Sequence, residues 1–165
     1  MSTRQEMSTR QIADAIAAAM TARDHAALMA LYADDVVFRS PVTAVEFRGK
    51  TEVGALMTHV LAGFETWERT FVLADGQQCV FGARGRIAGR DVELAEHIRL
   101  DSGGDVADIC IYGRPLAGIA AIAAVAAPPL AARRGPNRER LVRMLSRGLP
   151  GALAQGDRLI TRLAR

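Results

Sequence analysis

Val92, Leu94, Glu96, Ile98 and Leu100 alternate with Asp91, Glu93, Ala95, His97 and Arg99. One side of this segment is therefore apolar except for a single carboxylate, and the other is mostly polar. A period of two predicts a strand with one buried face. Helical spacing dominates earlier in the chain. Ile12, Ala15, Ile16, Ala19 and Met20 share a face and predict an amphipathic helix over residues 8–22. Asp24 is placed to cap a second, short helix that carries Leu28, Leu31 and Tyr32. Asp34 and Asp35 read as the turn that ends it, and residues 36–42 read as a strand stopped near Pro41. Val53, Leu56, Met57, Val60, Leu61 and Phe64 give the clearest helical periodicity, for a third helix opening at Lys50 or Thr51.

From Trp67 onward the pattern turns to β. Strands are expected near 68–74, 78–87, 91–100 and 105–113, with Asp75-Gly76, Ala88-Gly89 and Ser102-Gly103-Gly104 as turns. Three helices followed by a meander of long strands predict an α+β fold, with helices packed across one face of a curved sheet. Residues 116–127 are alanine-rich, end at Pro128-Pro129, and suit a short helix. Beyond Arg133, Leu141, Met144 and Leu145 line one side of a basic helix. Residues 148–151 break it, and Leu159, Ile160 and Leu163 suggest a last turn or two. The expected division is a disordered lead-in at 1–7, a domain over 8–115, and an Ala-rich segment with an Arg-rich amphipathic tail over 116–165. Within the lead-in, Met-Ser-Thr-Arg-Gln at 1–5 recurs at 7–11.

Charge sharpens that division. The net charge of +3 combines residues 1–132, with 12 Lys and Arg against 16 Asp and Glu (net −4), and residues 133–165, with 9 Arg against Glu139 and Asp157 (net +7). An acidic body with a basic tail calls for two readings. The tail has no aromatic side chain for base stacking, which ranks nucleic acid last as a partner. Docking back on the acidic body or on a partner subunit, or a plain solvated face, ranks first, and contact of the tail with an anionic membrane surface or partner protein second. No apolar run reaches the roughly 18 residues of a membrane span, and no apolar signal core follows the start. Cys79 and Cys110 make neither a disulfide framework nor a zinc site, and a reducing cytoplasm is the expected compartment.

Chemistry is concentrated at Glu96. A carboxylate on an apolar stripe finds a partner, takes up a proton or acts on a ligand. His97, one residue on, is expected on the outer sheet face, His59 on the far side of its helix, and His25 in solvent. Tyr32 and Trp67, aromatics with a polar handle, suit a cavity wall and equally suit plain core. Phe38, Met57, Ile109 and Ile111 are the further expected lining residues.

The order of elements and several local strings resemble the nuclear-transport-factor-2-like superfamily, in its SnoaL-like polyketide cyclase and steroid Δ-isomerase branch. The strings are Leu31-Tyr32-Ala33-Asp34-Asp35, Phe38-Arg39-Ser40-Pro41-Val42, Arg48-Gly49-Lys50-Thr51, Glu96-His97-Ile98-Arg99-Leu100 and Gly104-Asp105-Val106, and the likeness covers residues 10–115. It implies a cone: a bent antiparallel sheet wrapped by helices around a deep apolar cavity, commonly in a homodimer. It also implies a small hydrophobic ligand and no cofactor or metal. In the isomerase branch the proton-moving base is an aspartate just before the first strand's proline, where this chain has Ser40, and the oxyanion-holding tyrosine matches Ile16. Only the second oxyanion donor, a protonated acid, has a counterpart, Glu96. The related epoxide hydrolases need an Asp-Arg-Asp set, whereas Arg39, Arg99 and Asp108 here alternate to the outer face. Steroid isomerisation by that branch's own route is therefore not expected. For an enzyme, the resemblance implies isomerase, cyclase, dehydratase or epoxide-opening chemistry on a polycyclic or carbonyl-bearing substrate, with Glu96 as principal acid or base and Ser40 as its hydrogen-bonding neighbour. The rival is a non-catalytic dimeric interaction module.

Overall fold

The computed structural model describes residues 8–164, so the lead-in at 1–7 lies outside the described residues. Helices α1 (Thr9–Ala22) and α2 (His25–Ala30) come first, then strands β1 (Tyr32–Arg39) and β2 (Glu46–Arg48) and helix α3 (Lys50–Gly63). Four long strands follow: β3 (Phe64–Asp75), β4 (Gln78–Ile87), β5 (Arg90–Leu100) and β6 (Val106–Arg114). Helices α4 (Leu116–Ala132), α5 (Pro136–Arg147) and α6 (Leu149–Leu163) complete the chain. The strands make one sheet in the order β2-β1-β6-β5-β4-β3, antiparallel throughout except for the parallel β1–β6 pair. That parallel pair is possible because β2, α3 and the three strands β3–β5 separate its members, ample chain for a crossover.

Local rules set the boundaries of the first helices. Ser8 closes a capping box on α1: its hydroxyl accepts from the Gln11 N–H at 3.3 Å, and its own N–H donates to Gln11 Oε1 at 2.7 Å. Asp24 caps α2 by accepting from the Ala27 N–H at 2.9 Å. Tertiary pairing overrides local preference just afterwards. The segment holding Asp34 and Asp35, expected as a turn, belongs to β1, because the Val106 N–H donates to the Leu31 carbonyl at 2.9 Å and Tyr32 pairs with Val106. An irregular register between Tyr32 and Val37 turns both aspartates to solvent. Likewise Phe64, expected on the third helix, opens β3 while staying buried.

Strand β5 keeps the alternation read from its residues, with Val92, Leu94, Glu96, Ile98 and Leu100 all buried. Its neighbours across the ladder place Phe81 and Ile111 on either side of Glu96. Helices α1, α3 and α4 pack on this apolar face and bury the core between them.

Helix α4 runs through Pro128 and Pro129 instead of ending at residue 127. Each internal proline removes one backbone donor and costs about 3 kcal/mol in an isolated helix. Here the helix is apolar nearly all round and lies against α3, β5 and β6, so packing offsets that cost. It approaches the sheet closely at Gly118, where a Cβ would stand 2.5 Å from the Asp91 carbonyl oxygen and 2.9 Å from Val92 Cβ. Helices α5 and α6 pack on α4 but bury little of their own: Pro150 is the one fully buried residue between them. Among the described residues no helix is long and apolar enough to cross a membrane.

Candidate functional site

The helices and the sheet leave a cavity of about 160 Å³ between them. An apolar cavity of about 150 Å³ is enough to take up benzene, which sets the scale of the bound body at about one ring. Ile16 and Met20 of α1 and Leu56, Met57 and Val60 of α3 form one wall. Tyr32, Phe38, Leu94, Glu96 and Ile111 rise from the sheet, and Ser40–Thr43 with Phe47 close the end between β1 and β2. Ile122, Ala123, Ala126, Ala127 and Leu130 of α4 cover it. These α4 residues were missed in the sequence because the segment after 115 was set apart. Its lack of a polar face was the available signal, since a helix apolar all round must be buried.

Glu96 is 8% exposed and forms no hydrogen bond or ion pair with any other described residue. Burial pushes its carboxyl up to about 8. A group with that value is about nine-tenths protonated at pH 7, so the prevailing state is a neutral acid with an O–H to donate. Glu96 lines the cavity with no partner among the described residues. Tyr32 lines the same cavity, and burial, reinforced by the charge that Glu96 carries when ionised, raises its phenol far above the ordinary range. Its hydroxyl is a permanently neutral donor. Glu96 also acts on the buried thiol of Cys79, which burial first and the carboxylate second push up to about 11.

Ser40 sits at the cavity's end, immediately after β1. Its Oγ accepts from the Val42 N–H at 3.2 Å, which fixes the turn and leaves the hydroxyl proton free to meet a ligand. Phe38, Met57 and Ile111 line the cavity as expected from the sequence. Trp67 and Ile109 do not, and both expectations are corrected. Ile109 is on the inner face but one pleat deeper than Ile111, where Phe38 and Ile98 flank it in the ladder and the core is filled. Trp67 lies toward the far edge strand. Its ring meets Phe81 edge-on at 6.3 Å, beside Ala17 and Ala18 of α1. Its indole N–H is buried with no acceptor among the described residues.

The outer face carries the charged residues. Arg39 donates to Asp108 at 2.5 Å and to Glu46 at 2.9 Å, and Arg99 reaches Asp108 at 3.4 Å. His97 meets Gln78 Oε1 at 3.0 Å on the same side. His25, expected in solvent, is half-buried and donates through Nε2 to the Gly54 carbonyl at 2.8 Å, tying α2 to α3. The cavity therefore contains one carboxyl, no arginine and no histidine among its described lining. An Asp-Arg-Asp hydrolase set cannot be assembled there. One proton-transferring group and the neutral hydroxyls of Tyr32, Ser40 and Thr43 can polarise a carbonyl and move a proton beside it.

Comparison with known proteins bears on the family and the fold. The SnoaL-like domain family matches residues 13–109. No curated protein matches the sequence significantly. Among solved structures, a steroid Δ-isomerase from Pseudomonas aeruginosa superimposes with a TM-score of 0.70 at 26% identity, covering 82% of this chain and 100% of that one. A conserved bacterial protein with a cystatin-like fold from Silicibacter pomeroyi gives a TM-score of 0.67 at 21% identity, covering 85% and 96%. An NTF2-like protein of unknown function from Cytophaga hutchinsonii gives 0.60 at 13% identity, covering 69% and 96%. The curved six-stranded sheet is the NTF2-like fold, and the chain belongs to the SnoaL-like domain family.

Proposed function

We propose that the protein binds a small hydrophobic molecule bearing a carbonyl group and acts on it as a cofactor-independent acid/base enzyme of the isomerase or cyclase class. The observation that carries this reading is the carboxyl of Glu96, without a partner among the described residues, raised to about 8 and facing an apolar cavity. A buried acid with no structural partner is costly to keep, and perturbed acids in clefts are concentrated at functional sites.

With a carbonyl oxygen against Tyr32 and the Ser40 hydroxyl toward the end of the cavity, the adjacent carbon lies over Glu96. The ionised form of Glu96 takes a proton from that carbon, and the electron pair moves onto the carbonyl oxygen. The phenol of Tyr32 stabilises the resulting enolate by a hydrogen bond in a water-poor setting, where such a bond counts most. Glu96 then returns the proton to another carbon of the same molecule, and nothing else is consumed. A carboxyl with a value near 8 is well matched to this work, since a general base is most effective near the working pH. The single proton-carrying group suits isomerisation or ring closure better than hydrolysis.

The scale of the cavity selects the probe: 3-cyclohexen-1-one, a one-ring β,γ-unsaturated ketone whose conversion to the conjugated isomer is followed by ultraviolet absorbance. The wild-type chain is expected to accelerate it, and Glu96→Gln to lose about 10²–10⁴ of that rate while still binding the ketone. Equal rates for the two proteins would remove Glu96 from catalysis and leave the non-catalytic module as the better reading.

A further inference from the structure

Beside the cavity runs an open groove between β2, the start of α3 and the junction of α4 with α5. Thr43, Phe47, Ala127 and Leu130 line both, so the groove adjoins the cavity at that end. The groove is lined by Arg48, Arg133, Arg134 and Arg138. Arg48 is paired with Glu46, but Arg133, Arg134 and Arg138 form no ion pair with any described residue. The one carboxylate in the groove, Glu52, has an oxygen occupied by the Arg48 N–H at 2.8 Å.

Local helix stability does not account for this set. Arg133 and Arg134 follow the C-terminus of α4, where the helix dipole favours cations, but Arg138 lies in the first turn of α5, where it opposes them. Three guanidinium groups with no ion-pair partner among the described residues repel each other along one groove, and an anion relieves that repulsion through charge-assisted, often two-pronged hydrogen bonds. An apolar chamber opening beside a cationic groove matches an amphiphile.

Resting on the cavity reading above, we propose that the ligand is an amphiphile: an apolar body lodged beside Glu96 and an anionic oxygen head, carboxylate or phosphate, held by Arg133, Arg134 and Arg138. This sets the substrate class. A carbonyl within the body meets Glu96 and Tyr32 while the head stays at the mouth and fixes which carbon is presented. The remote charge then supplies binding energy for orientation at the reacting centre.

Calorimetry at low ionic strength tests this with octyl phosphate and 1-octanol, which share a chain and differ in the head. The wild-type chain is expected to bind octyl phosphate at least about tenfold more tightly, a modest demand on charge-assisted hydrogen bonds. The triple variant Arg133→Ala, Arg134→Ala, Arg138→Ala should lose that preference and bind 1-octanol as before. Equal affinity for the two ligands, or a preference that survives in the triple variant, overturns the proposal. Inorganic phosphate binding as tightly as octyl phosphate would make the groove a site for free anions and also overturn it. Binding to phosphatidylglycerol vesicles without binding monomeric octyl phosphate would do the same in favour of a membrane surface. Ala126→Leu, which narrows the cavity, separates the two layers of the argument. If neither ligand is weakened by it, the cavity reading fails and this proposal with it. If 1-octanol is weakened but octyl phosphate never bound more tightly, the head-group assignment alone fails.

Discussion

Glu96 and Tyr32 face one cavity from the same sheet, and the Tyr32 phenol is raised first by burial and then by the charge of Glu96. The pair is stable as two neutral donors, and ionising Glu96 disturbs both. This has a consequence for folding. The carboxyl sits at about 8 in the folded chain against roughly 4.3 when unfolded, so between those values the folded state holds a proton that the unfolded state has released. A folded value raised above the unfolded one means that stability is greatest below about pH 4.3 as far as this group is concerned. It declines as the pH rises to about 8 and is level above. Glu96→Gln removes the dependence. Its melting temperature relative to wild type is expected to climb steadily between pH 4.5 and 8, by the equivalent of at most several kcal/mol. A constant difference across that range would show that Glu96 is not the buried acid described here.

Glycine positions in two helices predict opposite signs for the same substitution. Gly118 in α4 has no room for a Cβ, which would strike the Asp91 carbonyl and Val92, so Gly118→Ala is expected to destabilise by about 1–3 kcal/mol despite alanine's better helix propensity. Gly156 in α6 has nothing within 4 Å of a built Cβ, and Gly156→Ala should stabilise its helix by up to about 1 kcal/mol. Thermal or urea melts read the first, and helical circular dichroism the second. Gly118→Ala behaving like Gly156→Ala would mean that α4 does not rest on the sheet.

Residues whose neighbours lie close in sequence or across a regular ladder were legible from the pattern alone. The alternation in β5 put Glu96 inward and His97 outward, and α1 begins where Ser8 and Gln11 allow it. What escaped depends on distant pairing. Asp34 and Asp35 look like a helix-ending turn until β6 draws the chain into the sheet at Tyr32. Ile109 and Ile111 share a face, and only the depth of the core decides that one meets the hollow and the other does not. Trp67 shows the same limit: an edge strand carries it to α1, away from the cavity beside Glu96. The prolines at 128 and 129 misled in the other direction, because a local helix breaker yields to a helix buried on nearly every side.

On the outer face, the Arg39–Asp108 pair joins the two parallel strands β1 and β6. Asp108 is 15% exposed on its side chain, but Arg39 is 40% exposed, so solvent screens the pair and its coupling should be about 1 kcal/mol or less. A double-mutant cycle with Arg39→Met and Asp108→Asn measures it. The coupling is expected to shrink in 1 M salt, as for any partly exposed pair. A coupling of several kcal/mol that salt leaves unchanged would instead mark a fully desolvated contact.

Truncation distinguishes the helices that complete the cavity from those that do not. Removing residues 133–165 takes away α5 and α6, whose side chains bury little and leave Leu141, Met144, Leu159 and Ile160 exposed. That cut should leave the melting temperature within a few degrees of the full chain and preserve 1-octanol binding, because little apolar area is lost from the core. Removing everything after Pro115 takes away α4 as well. It uncovers Val92, Leu94 and the cavity, and it deletes the buried Ile119 and Ile122. Loss of large buried aliphatic side chains costs about 2–5 kcal/mol each, so this shorter chain should not fold to a stable state. Equal melting of the two truncated chains would show that α4 contributes no more to the body than the basic helices beyond it.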